Sequence, residues 1–337
     1  MKKNQKRAFI TGISGQDGSY LAEFLLKKNY KVFGLVRHKN KNASANIRNL
    51  PVTSIKGDLA DEKSIAKAIK SAKPDEVYNL AGQTDSSRSV DYPKETFDLN
   101  YRAVGYVVNC AMKVNPKVRI FQASSSEMFG RTKPPQNEKS AFRPVTPYGE
   151  AKLKAHKKFV IGYRKKYRLF ICSGFLFNHE SPRRGENYVT RKITSSLAKI
   201  KLGLLDSFEL GNIDTKRDWG FAGDYVEAMW KMLQQKSPED FVMATGKSHT
   251  VRNFFNEAAK SIGLKVVWQG KGLKEVAKDK NGRIILRINK GYYRPIDVHY
   301  SLGNSAKIRK SLKWRPRHSF KSLVKMMAMD DLKRAKK

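Results

Sequence analysis

The 337-residue sequence has little cysteine, few acidic residues and no long apolar run. Its two cysteines, Cys110 and Cys172, lie among apolar residues, which predicts buried thiols in a reducing compartment rather than a disulfide framework. No apolar stretch approaches the roughly 18 residues of a membrane span, and the run Ala8-Phe9-Ile10 is too short for a signal peptide. No His or Cys pair has metal-ligand spacing. We therefore expect a cytoplasmic protein without membrane contact and without a metal.

Acidic residues are scarce beside basic ones: 30 Asp and Glu accompany 68 Lys and Arg, giving a net charge of +38. Such a charge can indicate a nucleic-acid-binding protein. The basic residues are spread along the whole chain, however, without a long basic tail or a recognisable nucleic-acid module. A positive surface also keeps a protein soluble and suits an anionic ligand. We expect no nucleic-acid partner and keep nucleic-acid binding as a remote alternative.

A glycine-rich turn lies between a predicted strand and a predicted helix near the amino end. Residues Lys6 to Thr11 form the strand, and Ser19 to Asn29 have apolar residues at helical spacing. Between them stands Gly12-Ile13-Ser14-Gly15-Gln16-Asp17-Gly18, in the context that a phosphate-binding turn requires. Glycines let the backbone approach a pyrophosphate, and the start of the helix offers free amides. The turn predicts a dinucleotide cofactor; a plain tight turn is the alternative.

The next strand, Val32 to Val36, is followed by Arg37 rather than by an acidic residue. An acid at this position binds the ribose 2′-hydroxyl of NAD, whereas an arginine accommodates the 2′-phosphate of NADP. We therefore predict NADP as the cofactor. A solvated surface charge is the alternative for Arg37.

A hydroxyl at a strand end and a Tyr-x-x-x-Lys pair form a candidate hydride-transfer site. The strand that begins near Val118 ends at Ser125, and Tyr148 and Lys152 share one helix face. A nearby ammonium favours the phenolate and lowers its pKa. We predict that Tyr148 takes a proton from a substrate hydroxyl near neutral pH. An exposed helical pair is the alternative.

Strands and helices alternate through the first half of the chain. Further strands are predicted over Ser54–Leu59, Glu76–Gln83 and Leu169–Leu176, and helices over Glu62–Ala72 and Asn100–Val114. This alternation predicts an α/β fold, a Rossmann-like doubly wound parallel sheet with its ligands beyond the carboxyl ends of the strands.

The later part of the chain is less regular and predicts a smaller, mixed α/β substrate domain. We expect a cofactor-binding domain over 1–177 plus 221–246. A second, substrate-binding domain would then cover 178–220 plus 247–337 and include an exposed hairpin over Gly270–Gly291.

With these residues placed, the chain resembles the extended short-chain dehydrogenase/reductase family (NAD-dependent epimerases and dehydratases), and within it the GDP-mannose 4,6-dehydratases. Four separated blocks carry the resemblance: Gly12 to Leu25, Asn178 to Ile193, Gly211 to Gly220, and Tyr293-Arg294-Pro295. The resemblance implies a hydro-lyase that oxidises C4 of a GDP-sugar onto NADP, removes water across C5 and C6, and returns the hydride to C6.

The resemblance also implies a role for each catalytic residue. Ser125 would hydrogen-bond the C4 oxygen, and Tyr148 would be the acid/base at C4. Lys152 would bind the nicotinamide ribose, and Glu127 would be the base at C5. The implied substrate-binding residues are Ser125, Asn178, Lys192, Arg217, Arg294 and Asp297. The implied cofactor-binding residues are Gly12, Ile13, Ser14, Gly15, Gln16, Asp17, Gly18, Arg37, Asp58, Leu59, Leu80, Ala81, Gly82, Gln83, Thr84, Tyr148, Lys152, His179 and Arg184.

The chain departs from the family pattern at several positions. Ser125 stands where the family usually has Thr, which keeps the hydroxyl. The run Gly82-Gln83-Thr84-Asp85 replaces the usual Ala-Gln-Ser-His, and Asp297 and His299 replace Glu and Asp. The segment Lys39 to Leu50 is similar to one that reaches the neighbouring subunit, so the resemblance implies a homodimer or homotetramer.

Several assignments have alternatives. Glu127 could be a surface acid, His179 a structural hydrogen-bonding group, and Arg217 and Arg294 ion-pair partners of Asp218 and Asp297. Among functions, a related dehydratase, reductase or epimerase acting on a GDP-sugar, including a GDP-heptose, or on another NDP-sugar is also open. A reductase or epimerase shares Tyr148 and Lys152 without needing Glu127.

Overall fold

The structure, a computed structural model, describes residues 5–37, 43–293 and 298–336. Its strands are β1 Arg7–Thr11, β2 Lys31–Val36, β3 Thr53–Lys56, β4 Glu76–Asn79, β5 Arg119–Ser125, β6 Phe170–Leu176, β7 His179–Glu180, β8 Phe208–Leu210, β9 Lys216–Arg217, β10 Gly220–Phe221, β11 Phe241–Met243, β12 His249–Thr250, β13 Val267–Gln269, β14 Val276–Lys278 and β15 Ile284–Ile288. Its α-helices are α1 Gln16–Lys27, α2 Glu62–Ala72, α3 Ser86–Asp91, α4 Pro93–Phe97, α5 Ala103–Val114, α6 Pro147–Ala155, α7 Tyr163–Tyr167, α8 Val189–Lys201, α9 Ala222–Leu233, α10 Val251–Ser261, α11 Ala306–Leu312 and α12 Phe320–Ala335.

Seven strands form the main sheet in the order β11-β6-β5-β4-β1-β2-β3, with every neighbouring pair parallel. Ala8 and Ile10 of β1 belong to the core on one face, with α1 and α9, whereas Phe9 belongs to the core on the other face, with α2 and α5. Helices cover both faces, as the continuous apolar runs of parallel strands require. The predicted Rossmann-like fold is therefore confirmed. We call the part built on this sheet the sheet unit.

A second hydrophobic core lies around α8, α10 and α12 and a four-stranded sheet ordered β13-β14-β15-β8. Phe254 and Phe255 of α10 are fully buried there. We call this part the small unit. Its separate core supports the division into 1–177 plus 221–246 and 178–220 plus 247–337, which we retain as a proposal.

The predicted hairpin is present as β14 and β15, joined through the turn Asp279–Gly282, but its full exposure is wrong. Ala277, Ile285 and Leu286 are completely buried. The reason is that β8 pairs with β15 in parallel and α10 covers the same sheet. Sequence reasoning treated the hairpin as an isolated local element and therefore missed these distant partners.

The two cysteines, Cys110 and Cys172, are free and buried, as predicted. None of the helices in the described ranges combines the length and the apolar character that a membrane span requires.

Candidate active site

One cleft of about 970 Å³ opens at the carboxyl ends of the main-sheet strands and continues into the small unit. It brings together residues that are far apart in sequence but were predicted to act together. The predicted residues on its surface are Gly12, Ser14, Gly15, Gln16, Asp17, Gly18, Arg37, Asp58, Leu59, Leu80, Ala81, Gly82, Thr84, Ser125, Glu127, Tyr148, Lys152, Asn178, His179, Arg184, Lys192 and Arg217.

Two predicted site residues do not line the cleft, and two lie outside the described residues. Ile13 is fully buried below the turn, where a Cβ on Gly34 would lie 2.3 Å from its Cγ2. Gln83 is also buried, and its amide nitrogen donates to the Asp85 carbonyl oxygen. Arg294 and Asp297 lie outside the described residues.

The glycine turn is shaped for close backbone approach. Gly12 has a positive φ of 72°, and a Cβ there would lie 3.1 Å from the Ala81 Cα. A Cβ on Gly18 would lie 2.2 Å from the Gly12 carbonyl oxygen, so only glycine lets the first turn of α1 pack on the loop. The helix begins at Gln16, earlier than the predicted Ser19, which places its free amides beside the turn. This cradle fits a dinucleotide pyrophosphate.

Asp17, which is partly buried, and His179, which is buried, form a pair that joins α1 to β7. His179 Nε2 lies 2.8 Å from Asp17 Oδ2, and Nδ1 lies 2.7 Å from the Phe177 carbonyl oxygen. Burial disfavours the charge on both residues, but their mutual attraction and hydrogen bond prevail, so the pKa of Asp17 is lowered and that of His179 is raised. Both ring nitrogens thus have protein partners, which favours the structural alternative for His179. A cofactor contact would have to come from its ring face or backbone.

Ser125, Glu127 and Tyr148 converge where β5 ends and α6 begins. The Ser125 Oγ accepts the Glu127 amide at 3.2 Å, which turns the chain out of the strand. Tyr148 lies in the first turn of α6, which Thr146 caps by accepting the Gly149 amide at 3.1 Å. Tyr148 is buried and hydrogen-bonded to Ser125, and the charge of Glu127 acts on its phenol. Glu127 therefore lies in the cleft with Tyr148 rather than on a remote surface.

Burial raises the pKa of Tyr148 above its usual value, and Glu127 and Tyr188 act in the same direction. The hydrogen bond from Ser125 and the charge of Arg184 oppose this without overcoming it. The prediction that Lys152 brings Tyr148 to ionise near neutral pH is therefore wrong for the protein by itself. The physical reason is that the phenolate loses solvation in the buried site.

Lys152 is buried, like Tyr148, and its ammonium has both a backbone partner and the Tyr148 ring nearby. Its ammonium donates to the Ala123 carbonyl oxygen at 2.9 Å and lies 5.7 Å from the centre of the Tyr148 ring. Burial lowers the pKa of Lys152 to about 8. The ammonium is thus charged at neutral pH but loses its proton in mildly alkaline solution.

The small-unit side of the cleft is cationic. The Lys192 ammonium lies 3.9 Å from the centre of the Tyr292 ring, and burial lowers its pKa. Arg217, in β9, pairs through its backbone with His249 of β12 and donates from its guanidinium to the Lys216 carbonyl oxygen. Asp218 is fully buried and accepts from Thr245 and Gly246, so it fixes a loop.

One residue that lines the cleft and one that lies below it were not singled out from the sequence. Tyr188 caps the start of α8, and its ring centre lies 3.6 Å from the Arg184 guanidinium carbon. Asn100 is buried below Gly82, and its Oδ1 has no hydrogen-bond partner among the described residues. A tyrosine just before an unrecognised helix gives no local signal, and a buried amide inside a helical run gives none either.

Comparisons with known proteins agree with this geometry. A family model described as GDP-mannose 4,6 dehydratase matches residues 9–327. GDP-mannose 4,6 dehydratase 2 of Caenorhabditis elegans is 45% identical over 344 residues, which cover 98% of this chain and 90% of that protein.

Two solved structures share the fold. The UDP-glucose 4-epimerase of Thermus thermophilus in complex with NAD has a TM-score of 0.79 at 22% identity, covering 96% of this chain and 98% of that one. RMD from Pseudomonas aeruginosa complexed with NADPH has a TM-score of 0.78 at 18% identity, covering 98% and 100%. Because the match in sequence runs through both units and every part of the cleft, the chain belongs to the GDP-mannose 4,6-dehydratase family.

Proposed function

We propose that the protein converts GDP-D-mannose to GDP-4-keto-6-deoxy-D-mannose and water. The observation that carries this function is that Glu127 lines the same cleft as Ser125, Tyr148 and the glycine turn. A nicotinamide oxidoreductase needs only the hydroxyl, the tyrosine and the lysine, whereas removal of water also needs a base for a carbon-bound proton. Family membership and this carboxylate point to the same reaction.

The cleft suits a nicotinamide dinucleotide, held by the backbone of Gly12 to Gly18 and by Lys152. When bound, this cofactor accepts a hydride from C4 of the sugar and returns it to C6. Arg37 and Lys56 lie together at the end of the cleft where β2 and β3 finish. Two cations suit the additional phosphate of NADP, and we therefore propose NADP rather than NAD.

The protein's own residues move two protons in each cycle. Tyr148 takes the proton of the C4 hydroxyl, and Ser125 hydrogen-bonds the oxygen that becomes the ketone. The C4 ketone makes the C5 proton acidic, and Glu127 removes it while the C6 hydroxyl leaves. One proton completes the leaving water and the other returns to C5 of the product. The two protons taken equal the two delivered, so the reaction consumes no acid and no base.

The surroundings of Tyr148 explain why its phenol needs nearby groups that favour the phenolate. Its phenolate is disfavoured by burial, whereas Ser125 and Arg184 favour it. Lys152, charged below a pKa of about 8, holds ribose hydroxyls and keeps positive charge beside the ring. We expect kcat/KM to fall as the pH rises through the Lys152 pKa.

On the substrate side, Lys192, Arg217 and Asn178 line the cleft, and we propose that they bind the nucleotide diphosphate. We also propose a homodimer or homotetramer. The support is that the segment Lys39 to Leu50 is similar to a family segment that reaches the neighbouring subunit. The described part of this segment lies at the chain's own cleft, where Asn46 donates to the Ser14 carbonyl oxygen at 3.0 Å and Ile47 is a lining residue.

The test is product analysis by mass spectrometry after incubation with a panel of GDP-sugars without added reductant. We expect GDP-mannose to lose one water, and the cofactor released from the denatured protein to be NADP. Glu127→Gln should slow water loss by about 10²- to 10⁴-fold while cofactor stays bound. Glu150→Gln, an exposed carboxylate on α6, is the matched control and should be unaffected.

Two results would overturn the proposal. Unimpaired water loss by the Glu127→Gln variant would remove the C5 base. Consumption of one NADPH for each sugar converted would identify a reductase instead.

A further inference from the structure

A hydrogen bond between two hydroxyl groups spans the cleft. The Thr84 Oγ1 lies 2.6 Å from the Tyr188 hydroxyl oxygen, and either can donate. Thr84 belongs to the loop that follows β4 of the sheet unit, whereas Tyr188 immediately precedes α8 of the small unit. We call this contact the hydroxyl bridge. It is one of the places where the two sides of the cleft meet over its interior, since both residues line it.

Each end of the hydroxyl bridge is held by its own unit. On the small-unit side, the guanidinium of Arg184 lies over the Tyr188 ring, and Arg191 donates to the Arg184 carbonyl oxygen at 2.9 Å. On the sheet-unit side, Asp85 caps α3 by accepting the Ser87 amide at 2.9 Å. The bridge therefore joins two anchored segments rather than two loose loops.

A second, weaker contact runs beside the bridge. The Asn187 side-chain nitrogen donates to Asp85 Oδ2 at 3.4 Å. The two contacts use neighbouring residues on both sides, Thr84 with Asp85 and Tyr188 with Asn187. Thr84 keeps the hydroxyl of the Ser that is usual in the family, whereas Asp85 replaces the usual His, so the second contact is the one that depends on a departure of this chain.

The bridge lies next to the reacting groups. Tyr188 and Arg184 both influence the pKa of the Tyr148 phenol, and a Cβ on Gly82, in the same loop as Thr84, would lie 3.8 Å from the Lys152 ammonium. A cofactor seated on the glycine turn and a sugar at Tyr148 would thus lie inside the span that Thr84 and Tyr188 close.

We propose that the hydroxyl bridge between Thr84 and Tyr188 is a positioning contact that keeps the nicotinamide cofactor and the oxidised sugar in the cleft until water has been lost. The proposal rests on the proposed dehydration. That reaction transfers a hydride from C4 to the cofactor and must return it to C6 of the same molecule. If the cleft opened between these two transfers, it would release a sugar lighter by two hydrogens, with its C6 hydroxyl retained. The hydride would then stay on the cofactor as NADPH.

The test compares Tyr188→Phe, Thr84→Val and the double variant, with Thr84→Ser as the conservative variant that keeps the hydroxyl. Tyr167→Phe, an exposed tyrosine on α7, is the matched control. The first measurement, made without sugar, is the rate of NADPH release followed by its fluorescence. The second is the ratio of the oxidised sugar to the dehydrated product by mass spectrometry.

We expect each single variant to release NADPH about three- to tenfold faster, the range for loss of one hydrogen bond. The double variant should match the single variants, because either substitution alone removes the bridge. Thr84→Ser keeps the hydroxyl and should release NADPH more slowly than Thr84→Val, and the oxidised sugar should be detected only where the bridge is absent.

Unchanged release rates in both single variants, or additive effects in the double variant, would overturn the proposal. The release measurement needs no turnover, so it stands even where GDP-mannose is not dehydrated. Failure of the proposed function would instead show as no dehydrated product from the unmodified protein.

Discussion

The two units each bury a cation, but they surround it in opposite ways. In the sheet unit, Lys152 donates to a carbonyl oxygen, and burial is the cause of its lowered pKa, with no carboxylate of the described residues opposing it. In the small unit, Arg191 donates through Nε to both carboxylate oxygens of Asp331 at 2.8 Å, and Thr194 donates to the same carboxylate. One charge is buried without a counter-ion and the other is fully paired.

The difference indicates that the charge of Lys152 serves the reaction, whereas the charge of Arg191 stabilises the fold. An unpaired ammonium has a lowered pKa and retains donors for a ligand, at a cost in stability. Arg191, by contrast, uses its remaining donors on the Pro182 and Arg184 carbonyl oxygens. The ion pair thus sets the loop that presents Arg184 to the cleft, and the small unit positions a group that acts in the sheet unit.

The largest effect on stability should follow from breaking the paired charge. Asp331→Asn leaves the Arg191 guanidinium buried without a counter-ion, which we expect to lower the free energy of unfolding by about 3–5 kcal/mol. Urea unfolding followed by circular dichroism measures this change. A loss below about 1 kcal/mol would mean that the fold does not require the pair, and it would contradict the contrast drawn between Lys152 and Arg191.

A smaller effect of opposite sign is expected at the unpaired charge. A lysine whose pKa falls from 10.5 to about 8 loses about 3 kcal/mol of stability at neutral pH, at about 1.36 kcal/mol for each pKa unit. Lys152→Met removes this cost together with one hydrogen bond. The variant should therefore be inactive yet more stable by about 1–3 kcal/mol at pH 7.

The pH dependence sharpens this prediction. The cost is complete below pH 8, where the lysine is charged in both the folded and the unfolded protein, and it vanishes as the pH rises toward 10.5. The stability advantage of Lys152→Met should shrink over that range in urea unfolding series. An advantage that is constant from pH 7 to 10.5 would show that the cause is packing rather than charge burial.

The smallest effect is expected at the residue next to Asp331. Asp330 forms an exposed ion pair with Arg334 one turn along α12. Exposed pairs of this kind contribute little, so Asp330→Asn should change the free energy of unfolding by no more than about 0.5 kcal/mol. Asp330→Asn and Asp331→Asn are adjacent on one helix and differ mainly in the burial of the ion pair that each disrupts. Equal changes in the free energy of unfolding would contradict the conclusion that burial makes the Asp331 pair important.

Local patterns predicted the sheet unit well. The helix Glu62–Ala72 has the predicted bounds, and β2 and β6 agree with prediction to within one residue at each end. Glycine spacing, alternation and apolar periodicity are properties of short segments, so they can be recognised without knowing what packs against them. The small unit was harder, because α8 begins inside a run rich in charged residues and β8 finds its partner in β15, far along the chain.

The candidate site shows the same division. From the sequence, the hydroxyl, the phenol and the ammonium could be grouped by their positions at a strand end and on one helix face, whereas the carboxylate Glu127 was added through the resemblance to the family. How these groups ionise depends on the packing around them. Burial raises the Tyr148 pKa and lowers that of Lys152, and pairing across 140 residues satisfies Arg191. The reason is physical: residue type and spacing are written along the chain, whereas solvation and the distance to a partner's charge exist only once distant segments have packed.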